Sequence, residues 1–376
     1  MAFIGATAPS VARWPNRSFF SPWVDFLCLG GGSLIALPIL GLLIPDGAAQ
    51  QAGICILVLS FLINYPHFVH SYQIFYGSYD QVMGSSNLDR TLRRRYLWAG
   101  FALPMLFVAY FALALSGNAP AMLRYAVNAM VFLSGWHYVK QGYGMLMIDA
   151  ALKHNFFSAT AKKLLMINAY ACWALSWMLI NRLVEERNFL GLSYYTLHVP
   201  GALIVAAAFI AGGTTLLFLG LLVQQARKPG CAFPINGTAA YIASLYLWLF
   251  LRSDPELLVL IPAFHSLQYL LIVWRYRMNI ETAKPDAEAP SSLAHVRNAS
   301  LRFLTFTTTG IALGFYGFYL VPTILDNFVP YNHDQFGHRL FLFIFWVSIN
   351  IHHYFIDHAM WRKENPFTLP HLLSHR

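Results

Sequence analysis

The sequence predicts an all-α, polytopic transmembrane helix bundle of about ten spans with both termini cytoplasmic, and three observations carry that prediction. The 376 residues are 57% hydrophobic and 11% charged, less than half the charge of an average soluble domain. Apolar stretches of about 20 residues recur along the chain, each long enough to cross a bilayer core. Lysine and arginine fall overwhelmingly on alternate connections between those stretches, the signature of an inserted bundle.

In chain order the spans are expected near residues 23–44, 52–76, 97–117, 121–148, 164–183, 201–224, 232–251, 256–275, 303–322 and 339–361, each bounded by charged or turn residues. Pro38, Pro104 and Pro262 lie inside them and are tolerable where neighbouring helices re-satisfy the backbone. The first stretch follows Arg13 and Arg17 but is too long for a signal peptide and lacks a small-residue cleavage site, so it reads as a retained helix. With ten spans, 19 of the 25 Lys and Arg residues share the side of the termini. Arg124, Arg182, Arg187, Arg252 and Arg339 lie opposite, and Lys140 sits inside the fourth span. The bias assigns the rich side to the cytoplasm and fits a bacterial inner membrane. The net charge of +9 is then accounted for by insertion and by contact with anionic membrane lipids, with no need of a nucleic-acid partner.

The polar stretch 277–300 reads as a cytoplasmic connector inside a single integral membrane domain, residues 1–376, because the candidate site residues come from both sides of it. Cys28, Cys55, Cys172 and Cys231 occupy or end apolar runs without a CxxC pair, which excludes a disulfide framework and a thiolate zinc site.

Of the 14 histidines, His154, His198, His295, His333, His338, His371 and His375 fall in loops. The others lie within spans: His67 and His70 on the second, His137 on the fourth, His265 on the eighth, and His352, His353 and His358 on the tenth. Ionisable residues at such depth are costly and face the bundle interior. All four of these helices run toward the cytoplasm, so distance from the helix end converts to depth. His67, His137, His265 and His353 lie roughly 13–18 Å above their helix ends at about 1.5 Å per residue. Histidines used as interhelical glue need no common depth. A shared layer points instead to a shared ligand.

Spacing refines the set. His67 and His70 are i, i+3, and His353 and Asp357 are i, i+4, so each pair lies on one face. His352 and His353 point about 100° apart, so one is a ligand and the other its neighbour or alternate. The candidate metal ligands are His67, His70, His137, His265, His352 and His353, with Asp357 and Gln268 as the orienting, catalytic partners. His358, beside Arg362, reads as a membrane-boundary residue. Lys140 either snorkels to the interface or acts as counter-charge to Asp149 or a bound acid. Trp136, Trp274 and Trp361 are placed to line an apolar cavity. HSxQ recurs at His70–Gln73 and His265–Gln268, and His-Tyr at His137–Tyr138 and His353–Tyr354, a faint internal echo.

Neutral imidazoles with one carboxylate and no thiolate suit iron, copper or zinc, and in an apolar setting they match non-haem iron oxygenases better than hard-ion sites. Pro66-His67, Trp136-His137 and the late His352-His353-Tyr354 resemble the membrane-embedded Brp/Blh family of carotene-cleaving dioxygenases. The chain departs from that family at Phe68, where glycine is usual. The resemblance implies intramembrane histidines holding a non-haem iron that acts on a polyene. More loosely the chain resembles histidine-box membrane desaturases and hydroxylases, although HxxH and one HH fall short of their ligand set. The expected function is a membrane oxidoreductase using O2 and a histidine-ligated metal on a hydrophobic isoprenoid or lipid substrate, with an electron donor as a further partner. The alternatives are a haem b protein, in which two histidines clamp the macrocycle, and a proton-coupled transporter with a histidine relay.

Overall fold

The computed structural model describes residues 18–43, 54–55, 57–85, 87–183, 188–189, 192–193, 195–250, 260–283 and 292–373. Turns aside, these residues are helical except for one short antiparallel pair, Asn188–Phe189 with Leu192–Ser193. The helices are α1 (22–43), α2 (60–77), α3 (Tyr79–Gly84), α4 (Arg90–Ser116), α5 (Pro120–Leu152), α6 (Ala159–Leu183), α7 (Gly201–Ala226), α8 (Ile235–Phe250), α9 (Ile261–Ala283), α10 (292–328), α11 (His333–Phe336), α12 (Leu340–Met360) and α13 (Leu369–Leu373). The outer parts of the predicted spans 52–76 and 256–275, and residues 284–291 of the connector, lie outside the described residues.

Among the described residues six helices are long and apolar enough to cross a membrane, within α1, α4, α6, α7, α10 and α12. Their outward faces carry bare apolar side chains such as Phe209, 78% exposed, and Leu216, 70% exposed, which water would not tolerate in such numbers. The remaining four predicted spans form α2, α5, α8 and α9 but fall outside that set. Three of them, α2, α5 and α9, carry the buried polar layer, which lowers their hydropathy while their neighbours shield them.

The helices sort into an inner and an outer group. More than half of α12 is buried, 56% of its apolar window, against 17% for α7. It packs on α5 and α2, while α2 packs on α9 and α10. Helix α8 lies against α5 and touches α9, with the start of α1 between them, and α6 and α7 form an outer pair beside α5. Small residues permit the closest approaches: a Cβ on Gly142 of α5 would lie 2.6 Å from Ser244 Cβ of α8.

Among the described residues four π-helical turns interrupt the long helices, at Leu27–Gly31, Ser60–Asn64, Trp98–Ala102 and Tyr316–Leu320. Three of them stand immediately before Pro66, Pro104 and Pro322. A proline ring clashes with the carbonyl four residues back, and a widened turn makes room for it without ending the helix. Pro262, expected mid-span, instead lies in the first turn of α9, where no N–H is missed.

Within the connector 277–300, helix α9 continues to Ala283 and α10 starts at Ser292, so its described residues are all helical. Buried Glu281 holds these extensions together, its carboxylate 2.6 Å from Arg277 on its own helix and 2.8 Å from Arg302 on α10.

Candidate metal centre

Helices α2, α5, α9 and α12 each bring one histidine to the same place. His67, His137 and His353 each offer a nitrogen within 4.8 Å of those of the other two, and all three are buried. Ring centroids of His67 and His353 are 4.3 Å apart, and those of His137 and His353 4.9 Å. His265 completes the group, with its ring 4.9 Å from His137 and 5.4 Å from His67.

What marks the cluster chemically is unsatisfied nitrogen. Nε2 of His67 and His137, and both ring nitrogens of His265 and His353, are buried without a hydrogen-bond partner. A buried polar atom left unpaired costs about 1–3 kcal/mol, so six in one spot mark a candidate ligand site. Nitrogens sharing a metal at about 2.0–2.1 Å lie roughly 3–3.5 Å from one another, so small ring shifts within the observed spacing would bring them onto one ion. Each neutral ring has one lone pair, so the group could hold a metal ion through one nitrogen per histidine.

The surroundings fix the rings. Nδ1 of His67 lies 3.0 Å from Ser266 Oγ, and with Nδ1 protonated its lone pair falls on the unpaired Nε2. Tyr138 stacks on His265 at 3.7 Å, and Tyr354 stacks on His137 at 4.6 Å. Tyr354 is itself held by Ser134 at 2.6 Å, and it donates to Asn350 Oδ1 at 3.1 Å. The two tyrosines of the His-Tyr echo thus each brace a histidine on another helix.

Asp357 stands where the sequence places it, one turn after His353. Its Oδ2 is 3.3 Å from His353 Nε2 and 3.9 Å from His137 Nε2. Its Oδ1 accepts from Tyr269 Oη at 2.8 Å, and that hydroxyl in turn accepts from Ser71 at 2.6 Å and from Trp361 Nε1 at 3.2 Å. Tyr269, Ser71 and Ser266 are absent from the candidate residues read from the sequence. The signal was available: Ser71, Gln141, Tyr269 and Asp357 each follow a central histidine by four residues. The same offset pairs the histidine level and the level beneath it across α2, α9 and α12, so these three helices run in one direction.

Three of the expected site residues stand elsewhere. His70 is turned toward α10: its ring stacks on Phe306 at 4.4 Å, its Nδ1 is 2.7 Å from Gln73 Oε1, and it fills space left by the missing side chain of Gly310. An i, i+3 step rotates about 60° around a helix, enough to move His70 from the centre to the flank. His352 faces the opposite flank, with Nδ1 2.8 Å from Tyr72 Oη and Nε2 2.7 Å from the Ala99 carbonyl. Gln268 reaches no imidazole. Its Nε2 donates to the Leu29 carbonyl in the π-turn of α1, and its Oε1 accepts from Gln141 Nε2 at 3.1 Å. It ties α1 to α9 and α5.

A cavity of about 470 Å³ adjoins the cluster. Its wall includes His137, Tyr269, Tyr354 and Asp357, and Lys140, His358, Arg362 and Lys363 line it from the next turns of α5 and α12 and the residues just after α12. Trp136 and Trp361 form part of its wall, as expected, and Trp274 does not. No protein-family model, curated protein or solved structure matches the chain.

Proposed function

We propose that this chain is an integral membrane oxidoreductase, a non-haem iron oxygenase acting with O2 on a hydrophobic isoprenoid or lipid substrate. The observation that carries the reading is the convergence of His67, His137 and His353, from three helices, on one buried point, with the ring of His265 from a fourth beside them and unpaired nitrogens on all four. An all-imidazole set with one carboxylate and no thiolate favours iron among the metals such a site takes. The resemblance to the Brp/Blh dioxygenases at Pro66-His67, Trp136-His137 and His352-His353-Tyr354 points the same way.

His67, His137 and His353 would hold the ion, with His265 as fourth ligand. When bound, iron supplies the binding and activation of O2. The chain's own groups do the rest. Tyr269, held by Ser71 and Trp361, donates to one oxygen of Asp357 and leaves the other facing the histidines. That oxygen is placed to take or return a proton beside the substrate. Trp136, Met145, Ile148 and Ile272 give the cavity an apolar lining that excludes water from the reacting end.

We further propose ten spans with both termini cytoplasmic in a bacterial inner membrane. The common direction of α2, α9 and α12 supports this arrangement, since each is an even-numbered span in the ten-span order. The haem alternative is less well supported, because the rings of His137 and His353 stand 4.9 Å apart at 72° and leave no flat slot for a macrocycle.

The test is metal quantification and a visible spectrum on detergent-purified protein beside a His67→Ala, His353→Ala double variant. Near-stoichiometric iron without a Soret band, lost in the variant, supports the reading. Protein that binds neither iron nor haem, with an unchanged variant, defeats it.

A further inference from the structure

The cavity wall beside the cluster carries a group of cations that the metal centre does not use. Lys140 Nζ lies 3.3 Å from His358 Nδ1, and Arg362 Nη2 lies 2.6 Å from His358 Nε2. A neutral imidazole has one lone pair and a protonated one has none, so His358 cannot accept from both. One of the two cations is therefore left without an acceptor on that ring. Among the described residues neither Lys140 nor Arg362 is ion-paired to a carboxylate, and Arg95 adds to the same positive field. Lys140 also lies over the Trp136 ring at 5.3 Å, which fixes it against the cavity wall. Past Lys140 along α5, away from His137, the walls include Met145, Met147 and Ile148, and Met166 and Ile272 also line the cavity.

An apolar cavity of ligand size, with unneutralised cations close beside a metal-ligand cluster and an apolar stretch beyond them, selects for a particular shape of molecule. We propose that it binds a single-chain anionic amphiphile, an acyl or isoprenoid chain ending in a carboxylate or phosphate, with the head group on Lys140 and Arg362. Lys140 follows His137 by three residues, less than one helical turn, so the carbons close to the head group lie beside His137 and Asp357. The inference rests on the oxygenase reading only for the claim that the bound amphiphile is the substrate; the binding site itself stands on the cavity and its cations.

The probe is cis-parinaric acid, a fluorescent polyene carboxylate, titrated into the protein in nanodiscs of neutral phosphatidylcholine beside its methyl ester. The acid is expected to bind at least tenfold tighter than the ester, with palmitate and hexadecyl phosphate as competitors showing which head group is preferred and hexadecanol failing to compete. In the Lys140→Gln, Arg362→Gln double variant the acid is expected to lose at least tenfold in affinity, while the ester is unchanged. The charge-conserving Lys140→Arg, Arg362→Lys variant keeps the acid's affinity, which separates lost charge from lost folding. Equal binding of acid and ester, absence of binding by both, or an unaffected double glutamine variant overturns the proposal. Repeating the titration after chelation keeps the two readings apart: acid binding without iron upholds this site whatever the metal result, and intact iron without acid binding defeats this site alone.

Discussion

Replacing His353 with alanine is expected to remove the metal while leaving the fold almost untouched, and the structure gives the size of both effects. The ring is fully buried, between His67 at 4.3 Å, His137 at 4.9 Å and Phe68 at 4.9 Å. Truncating a buried ring to alanine costs about 3–5 kcal/mol in packing and cavity terms. In the metal-free protein, however, this ring carries two buried nitrogens without partners, each a burden of about 1–3 kcal/mol that the variant no longer bears. The two terms offset to within roughly 2 kcal/mol, so the metal-free variant melts close to the metal-free parent. In the parent, a ligand at a thousandfold excess over its Kd adds about 4 kcal/mol of stability. That increment disappears in the variant. The assay is thermal unfolding in detergent with chelator and, separately, with anaerobic ferrous iron, together with elemental analysis. A variant that retains stoichiometric iron and the parent's iron-dependent shift refutes the assignment of His353, and with it the geometry on which the centre is built.

Three further outcomes separate the central residues from their neighbours. His70→Ala is expected to keep its iron but lose about 1–3 kcal/mol of stability, because its ring is a packing element between α2 and α10; elemental analysis and thermal unfolding read the two effects. Tyr269→Phe removes the hydroxyl that orients Asp357, and is expected to keep the fold while lowering iron affinity or turnover about 10–100-fold, measured by metal titration and O2 uptake. Gln268→Leu breaks the tie to Leu29 and Gln141 without touching an imidazole, so its iron content is expected to match the parent while thermal stability falls; loss of iron would restore Gln268 to the centre.

The sequence reveals the helical class and the depth of the site because both depend on one-dimensional quantities: hydropathy along the chain, and residues counted from a helix end. The azimuth of each side chain is less legible. His67 and His70 share a face at the resolution of an i, i+3 rule, yet the remaining angle of about 60° sends one to the centre and the other onto Phe306. The π-turn at Ser60–Asn64 adds to the difficulty, since a widened turn shifts the angular phase of every later residue in the helix and a regular 100° step passes over it. For His352 and His353 the angle is large enough to read, and adjacent positions separate as expected. Gln268 shows a different gap. Its depth is right, but its partner is a carbonyl on α1 exposed by a π-turn, which no pattern within α9 announces.

The two excluded histidines supply the comparison that gives the central four their meaning. If intramembrane histidines served here as interhelical glue, each would spend its ring nitrogens on neighbours. His352 does so completely, bonding Tyr72 and the Ala99 carbonyl, whereas His70 spends only Nδ1 and keeps a buried, unpaired Nε2. In the same bundle, at nearly the same level, His67, His137, His265 and His353 face one another with lone pairs unspent, although tyrosine and serine hydroxyls stand within reach and are committed to other groups. Below them Ser71, Tyr269 and Asp357 form a hydrogen-bonded tier of their own and do not fill the gap above. An unpaired nitrogen alone does not mark the centre, since His70 on the flank keeps one too; what sets the centre apart is that four such rings from four helices face one another. That gathering is the physical argument for proposing a cation there.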